Sequence, residues 1–345
     1  MIYFDNASTT ETIYNTEPQF NPSSVHKGGI DSARHLHDAK KFLIEFTGLT
    51  NHNVYITSGG TEANNIAILG FYAANKRTNI KYQSLLWEHP SISEPMRFLS
   101  ESADVNISIE PEITDNTFIS ISQVCSETGD VYDLKKLSDK LKKHNNAILH
   151  VDGAQGFAKY PVPEFADIYT ISGHKIHAPV GIGAIFIRKS VKIKPIMFGG
   201  SQENGFRPGT ENLGGLLAMN KAAANYSHSN VAEIKDYLSN LSRELDNAYI
   251  ISMGEKVSDH ILTMNFTGIK GEVLANLLSE KGLYVSTGSA CRSSKKEKNS
   301  LFLMGYDKET ADSSIRLSFS YTNTMEEAIK AKEIIKEAIN TLRRV

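Results

Sequence analysis

The stretch "TSGGTEANN", Thr57 to Asn65, follows the short apolar run "VYIT" (Val54 to Thr57) and leads into an apolar helical pattern. A strand, a glycine pair and a helix start in that order make an anion cradle. Glycine lets the backbone approach a ligand closely, the first helical N–H groups are unpaired and favoured by the dipole, and Thr61 adds a hydroxyl beside Gly60. An ordinary strand-to-helix turn capped by Ser58 or Thr61 accounts for the same residues equally well. The choice depends on what the rest of the chain brings to this turn.

Working outward, apolar runs rich in β-branched and aromatic residues alternate with helical patterns. "FISISQV" (Phe118 to Val124), "AILHVD" (Ala147 to Asp152), "DIYTIS" (Asp167 to Ser172) and "GAIFIRK" (Gly183 to Lys189) read as buried parallel strands. "IDSARHLHDAKKFLIEFTG" (Ile30 to Gly48) carries Ala33, Leu36, Leu43 and Phe46 near helical spacing. This alternation predicts an α/β protein. From about Gly254 the pattern changes to "HILTMNF", a helix "GEVLANLLSEKG", "SIRLSFS" and a closing helix opened by the capping pattern Thr324 to Glu327, so a second domain is expected there. No internal repeat or low-complexity linker interrupts the chain.

Composition narrows the function. With 345 residues, burial of a large core is no obstacle, and 37 basic against 39 acidic residues give a net charge of −2. That balance supplies no electrostatic pull toward nucleic acid or a membrane surface, and small or neutral partners fit better. No apolar run reaches the roughly 18 residues of a spanning helix, and "MIYFDNASTT" lacks a basic region followed by an apolar one, so the expected location is cytoplasmic. Cys125 and Cys291 form no disulfide framework and show no metal-ligand spacing with histidine, so any cysteine role is chemical and no metal is expected.

Two further motifs follow strands. In "HVDGAQ" (His150 to Gln155), Asp152 ends an apolar strand before a small-residue turn. At the carboxyl end of a parallel sheet it can hold a proton on a heterocyclic nitrogen, although an Asp-Gly turn is common for its own sake. In "SGHKIHAP" (Ser172 to Pro179), Lys175 leaves the core between hydrogen-bonding neighbours Ser172 and His174. Partial desolvation and nearby positive charge favour a free amine able to form a Schiff base; a solvated loop lysine is the ordinary alternative. Phosphate cradle, pyridinium partner and Schiff-base lysine, in that order, are the parts a pyridoxal-phosphate site requires.

At this point the sequence resembles the cysteine desulfurase family, the class V aminotransferase branch of the fold-type I pyridoxal-phosphate enzymes. The resemblance runs through "YFDNASTT", "NPSSVH", "TSGGTEANN", "EHPSI", "VDGAQ", "SGHK", "GIGAIFIR", "GGSQENGFRPGTEN", "STGSACRSS" and "SSIRLSFS". It implies a large cofactor domain, residues 16–253, with a mostly parallel seven-stranded sheet between helices. It also implies a smaller α+β domain, 254–345, carrying the cysteine loop, and an N-terminal segment, 1–15, packed near the active site and the small domain.

Residue by residue, the resemblance implies that Lys175 forms the internal aldimine, Asp152 pairs with the pyridinium nitrogen, and Gln155 faces the phenolic oxygen. Gly60, Thr61, Ser172 and His174 hold the phosphate, and His89 stacks on the ring and transfers protons. Arg316, with Asn6 of "YFDNASTT", receives the substrate carboxylate, and Thr210 of "RPGT" reaches the phosphate of a neighbouring subunit in a homodimer with shared sites. Read without the resemblance, His89 is also a helix-start residue, Arg316 a strand arginine and "RPGT" a plain turn.

The resemblance makes Cys291 the catalytic cysteine, which takes sulfur from L-cysteine as a persulfide. Its setting, "STGSACRSSKKEK" (Ser286 to Lys298), predicts an exposed loop of small residues able to visit the cofactor and then an acceptor. Arg292, Lys295, Lys296 and Lys298 favour a thiolate, although a charge run is more often a solvated face. One departure stands out. "CSETG" (Cys125 to Gly129) replaces the family's Asn-Asn-Glu-x-Gly, so Ser126 stands where an asparagine approaches the cofactor; Cys125 itself reads as a packing residue.

The expected activity is conversion of L-cysteine to L-alanine, with sulfur passed to an acceptor such as an iron–sulfur scaffold or a tRNA-thiolation protein. Alternatives are a selenocysteine lyase or related β-elimination enzyme on the same scaffold, and a catalytically weak sulfur-relay partner.

Overall fold

The computed structural model describes residues 1–16, 19–287 and 299–344. Cys291 and the basic residues Arg292, Lys295, Lys296 and Lys298 lie outside the described residues. In chain order the strands are β1 (Ile2–Tyr3), β2 (His52–Thr57), β3 (Lys81–Leu85), β4 (Asp104–Ser108), β5 (Thr117–Ser122) and β6 (Ile148–Asp152). They continue with β7 (Ile168–Ser172), β8 (Gly183–Arg188), β9 (Ala248–Ile251), β10 (Ile261–Phe266), β11 (Leu283–Tyr284) and β12 (Ser314–Ser318).

The chain divides into two compact units, one of residues 11–123 and 133–226, the other of residues 1–10, 124–132 and 227–345. The first unit is built on a seven-stranded sheet of order β2-β8-β7-β6-β5-β3-β4. Strands β4, β3, β5, β6 and β7 run parallel. β8 corrects the sequence reading: "GAIFIRK" pairs antiparallel with both β7 and β2. A strand buried on both faces is a continuous apolar run whichever way it points, so composition carries no direction. Ile168, Ile185 and Ile187 of the sheet pack with Phe71, Ile92, Met96 and Leu99 in one apolar core. The helix α1 (Lys27–Thr47) spans the periodic stretch read from the sequence.

The second unit holds the antiparallel sheet β12-β10-β9 and the parallel pair β1–β11. The closing helix, Met325–Leu342, begins with a complete capping box between Thr324 and Glu327, as its sequence predicts. Residues 124–132 are fastened here because the Asp130 carboxylate accepts N–H bonds from Met253 and Gly254 at 3.0 and 2.9 Å, and Val131 N donates to Lys256 O at 2.9 Å. No helix among the described residues is long and apolar enough to cross a membrane.

In the first unit, Gly153 follows Asp152 directly, and a Cβ there would fall 2.2 Å from the Tyr169 ring. Tyr169 is fully buried and tied to Gln123 Oε1 by its hydroxyl at 2.9 Å, so it cannot swing aside cheaply. Gly153→Ala is therefore expected to cost about 2–3 kcal/mol by overpacking, read as a lower melting temperature. An unchanged melting temperature would show that the turn relaxes freely.

Candidate active site

Three separated motifs meet at the ends of β6 and β7. A Cβ placed on Gly60 would lie 3.5 Å from Ser172 Cβ and 3.9 Å from Ala154 Cβ, so the glycine turn, the "SGHK" turn and the "VDGAQ" turn are neighbours. Gly59 has φ +152°, and a Cβ on Gly183 would come within 2.7 Å of its Cα; this close crossing of β8 and the turn explains why both positions are glycine. The helix α2 (Gly60–Asn65) starts at Gly59 with no side-chain cap, so neither Ser58 nor Thr61 takes that role. Instead Glu62 reaches back to Ser58 N at 2.8 Å. Ser172 Oγ is buried beside this turn and has no hydrogen-bond partner among the described residues, a costly state for a hydroxyl unless a ligand oxygen completes it. Thr61 is exposed at the same helix start.

Asp152 closes β6, buried, with one carboxylate oxygen accepting from Ala154 N at 2.8 Å and the other from Asn64 Nδ2 at 2.7 Å. Asn64 is wholly buried on α2 and also donates to Ser91 Oγ at 2.8 Å, while its own Oδ1 accepts from Thr170 at 2.6 Å. Ser91 in turn bonds His89 Nδ1 at 2.8 Å, and Ser91 N donates to the same nitrogen at 3.1 Å. His89 thus is the helix-start residue of Pro90–Leu99. A neutral imidazole that accepts a backbone N–H at Nδ1 carries its proton on Nε2. His89 is exposed, and with Thr61, Asn65, Ser91 and Glu94 it lines a cavity of about 390 Å³. Asn64 and Ser91 were not singled out from the sequence; the signal was present in the helical spacing of Gly60 and Asn64, which puts both on one face.

Lys175 ends the short turn Gly173–Lys175 directly after β7, half-buried. Burial and the charges of Lys175, Lys159 and His89 push His174 down to about 4, so its imidazole is neutral at physiological pH. Gln155 is buried, and its Oε1 accepts from Lys159 Nζ at 3.3 Å. Glu88, fully enclosed beside His89 and facing Asp152, is pushed up to about 7 by burial; it accepts from Ser122 N at 3.1 Å and from the Ser122 hydroxyl. Thr210 is exposed, and "RPGT" is tied to α2 by a two-pronged Arg207–Glu62 pair at 2.7 and 3.0 Å.

The second unit holds the other predicted residues. The Arg316 guanidinium is buried, donating to Ser126 O at 2.8 Å and Ser8 Oγ at 2.8 Å, with the Asp5 and Glu127 carboxylates at 3.3 and 3.6 Å and Nε unpartnered. Ser126 therefore meets Arg316 through its backbone carbonyl. Asn6 spends its amide nitrogen on Tyr3 O, Ser318 O and Asn323 Oδ1 at 3.2, 3.0 and 3.2 Å. Cys125 is buried, its thiol pushed up to about 11 by burial, which suits packing and not nucleophilic chemistry. Ser286, just before the cysteine segment, pairs with the Arg316 backbone at 2.7 and 3.1 Å.

A mostly parallel sheet with a lysine after one central strand and an aspartate at the end of its neighbour is the architecture of a fold-type I pyridoxal-phosphate-dependent transferase. The family description aminotransferase class-V matches residues 2–330. The chain is 32% identical to the "NifS/IcsS protein homolog" of Lactobacillus delbrueckii subsp. bulgaricus, covering 95% of this chain and 94% of that one. It is 31% identical to "Cysteine desulfurase IscS" of Methanosarcina thermophila, covering 99% and 93%. A solved "NifS-like protein" superposes with a TM-score of 0.87 at 26% identity over 100% of both chains. The chain belongs to the cysteine desulfurase family of the class V aminotransferases.

Proposed function

We propose that the chain uses pyridoxal 5'-phosphate to convert L-cysteine to L-alanine and carries the sulfur as a persulfide on Cys291. The observation that supports this most is the buried, unpartnered Ser172 hydroxyl at the glycine turn, within the same cluster as Asp152 and Lys175. Gly60, Thr61, Ser172 and His174 would hold the phosphate, and Asp152 the pyridine nitrogen. When bound, the cofactor supplies an electron sink for the bonds of the substrate α-carbon.

The chain's own groups do the rest. Asp152, oriented by Asn64 and Ala154, keeps a lone pair for a proton on the ring nitrogen. His174 is neutral, so it offers an N–H to the phosphate without adding charge. Lys175 supplies the amine that anchors the cofactor, then accepts a proton from the substrate α-carbon. His89, with its proton on Nε2, moves protons at the sulfur and amine of the substrate. Gln155 would face the phenolic oxygen, Ser126 stands where the family's asparagine approaches it, and Arg316 would receive the substrate carboxylate through the fork geometry suited to that planar group.

In the sulfur step the Cys291 thiolate forms an S–S bond to the substrate sulfur as the Cβ–S bond breaks. The bonding pair stays with carbon, which takes a proton at Cβ, so carbon is reduced and the two sulfurs oxidised with no outside reductant. The persulfide then serves an acceptor protein, an iron–sulfur scaffold or a tRNA-thiolation protein. Thr210, exposed on a loop braced by Arg207 and Glu62, completes the phosphate site of a second copy in a homodimer.

Cys291→Ser tests the carrier assignment. The variant is expected to bind cofactor normally, with unchanged visible absorbance, while protein persulfide after addition of cysteine falls to background by mass spectrometry. Persulfide at the parent level in that variant would assign the sulfur to another residue.

A further inference from the structure

Among the described residues two lysines are buried, Lys332 and Lys159, at 7% and 8% exposure. Lys332 has a counter-ion, the Glu244 carboxylate at 2.5 Å. Lys159 has none among the described residues: its Nζ donates to Gln155 Oε1 at 3.3 Å, and the charged group that acts on it is another cation, Lys175. An ammonium enclosed without an anion costs stability, and a methionine of the same length would fill the space at no such cost. Packing therefore does not explain the amine.

The local backbone does explain its aim. Phe157 N bonds Gly153 O at 2.7 Å and Tyr160 N bonds Gly156 O at 2.9 Å, two successive turns with Ala158 in the left-handed region at φ +60° between them, and Gln155 and Lys159 meet through the 3.3 Å bond of their side chains. We propose that Lys159 is a positioning residue of the active site: it holds the Gln155 carboxamide oxygen, turns the amide N–H groups toward the cofactor's phenolic oxygen, and sets a cation beside Lys175. The inference rests on the function proposed above. An amine donates to Oε1 whether or not it is protonated, so the carboxamide keeps one orientation in both states. Burial and Lys175 push Lys159 down to about 7, so the Lys159 proton is the first of the pair to leave and its charge bears on the Lys175 side only below that pH. The titratable neighbours are Lys175 and His174 on the turn after β7, His89 facing His174 from the helix start, and His177 with the Glu11 carboxylate opposite it.

The test compares the parent with Lys159→Met and Lys159→Arg as full-length proteins. Cofactor is removed, and Lys175 is acetylated competitively over a range of pH and quantified by mass spectrometry; the cofactor is then restored and its visible absorbance titrated. Lys159→Met removes the hold on Gln155 and is expected to shift the absorbance titration by about half a pH unit or more with the Lys175 labelling midpoint unmoved, at a melting temperature equal to or above the parent's. Lys159→Arg carries a cation at every pH and is expected to lower the Lys175 labelling midpoint by about 1 pH unit. Equal midpoints and absorbance titrations in all three proteins, or a lowered melting temperature in Lys159→Met with both titrations unmoved, would overturn the proposal. Borohydride reduction of the parent separates the two readings. Label on Lys175 with unmoved titrations refutes the role of Lys159 alone, whereas no label on Lys175 refutes the proposed function itself.

Discussion

Lys175→Ala is expected to lower cysteine-dependent alanine formation by at least about a thousandfold, because one side chain is asked to anchor the cofactor and to accept the substrate proton. The loss should be chemical and not structural. Lys175 is half-buried on a short turn, so its removal leaves no large cavity and the melting temperature should stay near the parent's. Borohydride reduction with peptide mapping gives the complementary readout: the parent carries the reduced cofactor on the Lys175 peptide, and the variant does not. Equal labelling of another lysine in both proteins would move the anchoring role elsewhere. Lys159, the buried neighbour, is the residue such a result would point to first.

The second large effect concerns Asp152. Asp152→Asn keeps the volume and the strand end but removes the charge that would hold a proton on the ring nitrogen. Breaking a buried charged pair by neutralising one partner costs about 3 kcal/mol or more, which corresponds to roughly a hundredfold or more in turnover. Asp152→Ala removes the acceptor of Asn64 Nδ2 as well, leaving a wholly buried amide with one bond fewer. A stability loss of about 1–3 kcal/mol is expected there and also in Asp152→Asn, whose single amide oxygen serves only one of the two donors, Ala154 N and Asn64 Nδ2. Turnover reads the loss of the charge, and melting temperature reads the loss of the hydrogen bonds that the carboxylate accepts. Turnover within a few-fold of the parent in Asp152→Asn would remove the carboxylate from the chemistry.

Much of the larger unit is legible from short runs of sequence. The strands at His52–Thr57, Thr117–Ser122, Ile148–Asp152 and Ile168–Ser172 fall on the apolar runs, because burial on both faces demands continuous β-branched and aromatic residues. The closing helix starts where its capping residues say it should. The direction of Gly183–Arg188 is not legible, since an apolar run has no polarity. Nor is the network from Asp152 through Asn64 and Ser91 to His89, whose members are scattered along the chain and become neighbours only when the sheet is assembled.

The sequence by itself determined the alternating strand and helix pattern, the order of the glycine turn, aspartate and lysine, and the family to which those motifs belong. These are local signals: backbone propensity, capping and side-chain chemistry act over a few residues and leave their mark in composition and spacing. Only the tertiary structure decided that Ser172 lies buried and unpartnered beside Gly60, that residues 124–132 join the unit holding Arg316, and that Lys159 is enclosed without a carboxylate. Those facts depend on contacts between residues distant in sequence and on the exclusion of water, and desolvation is a property of the packed molecule that no short stretch of chain contains.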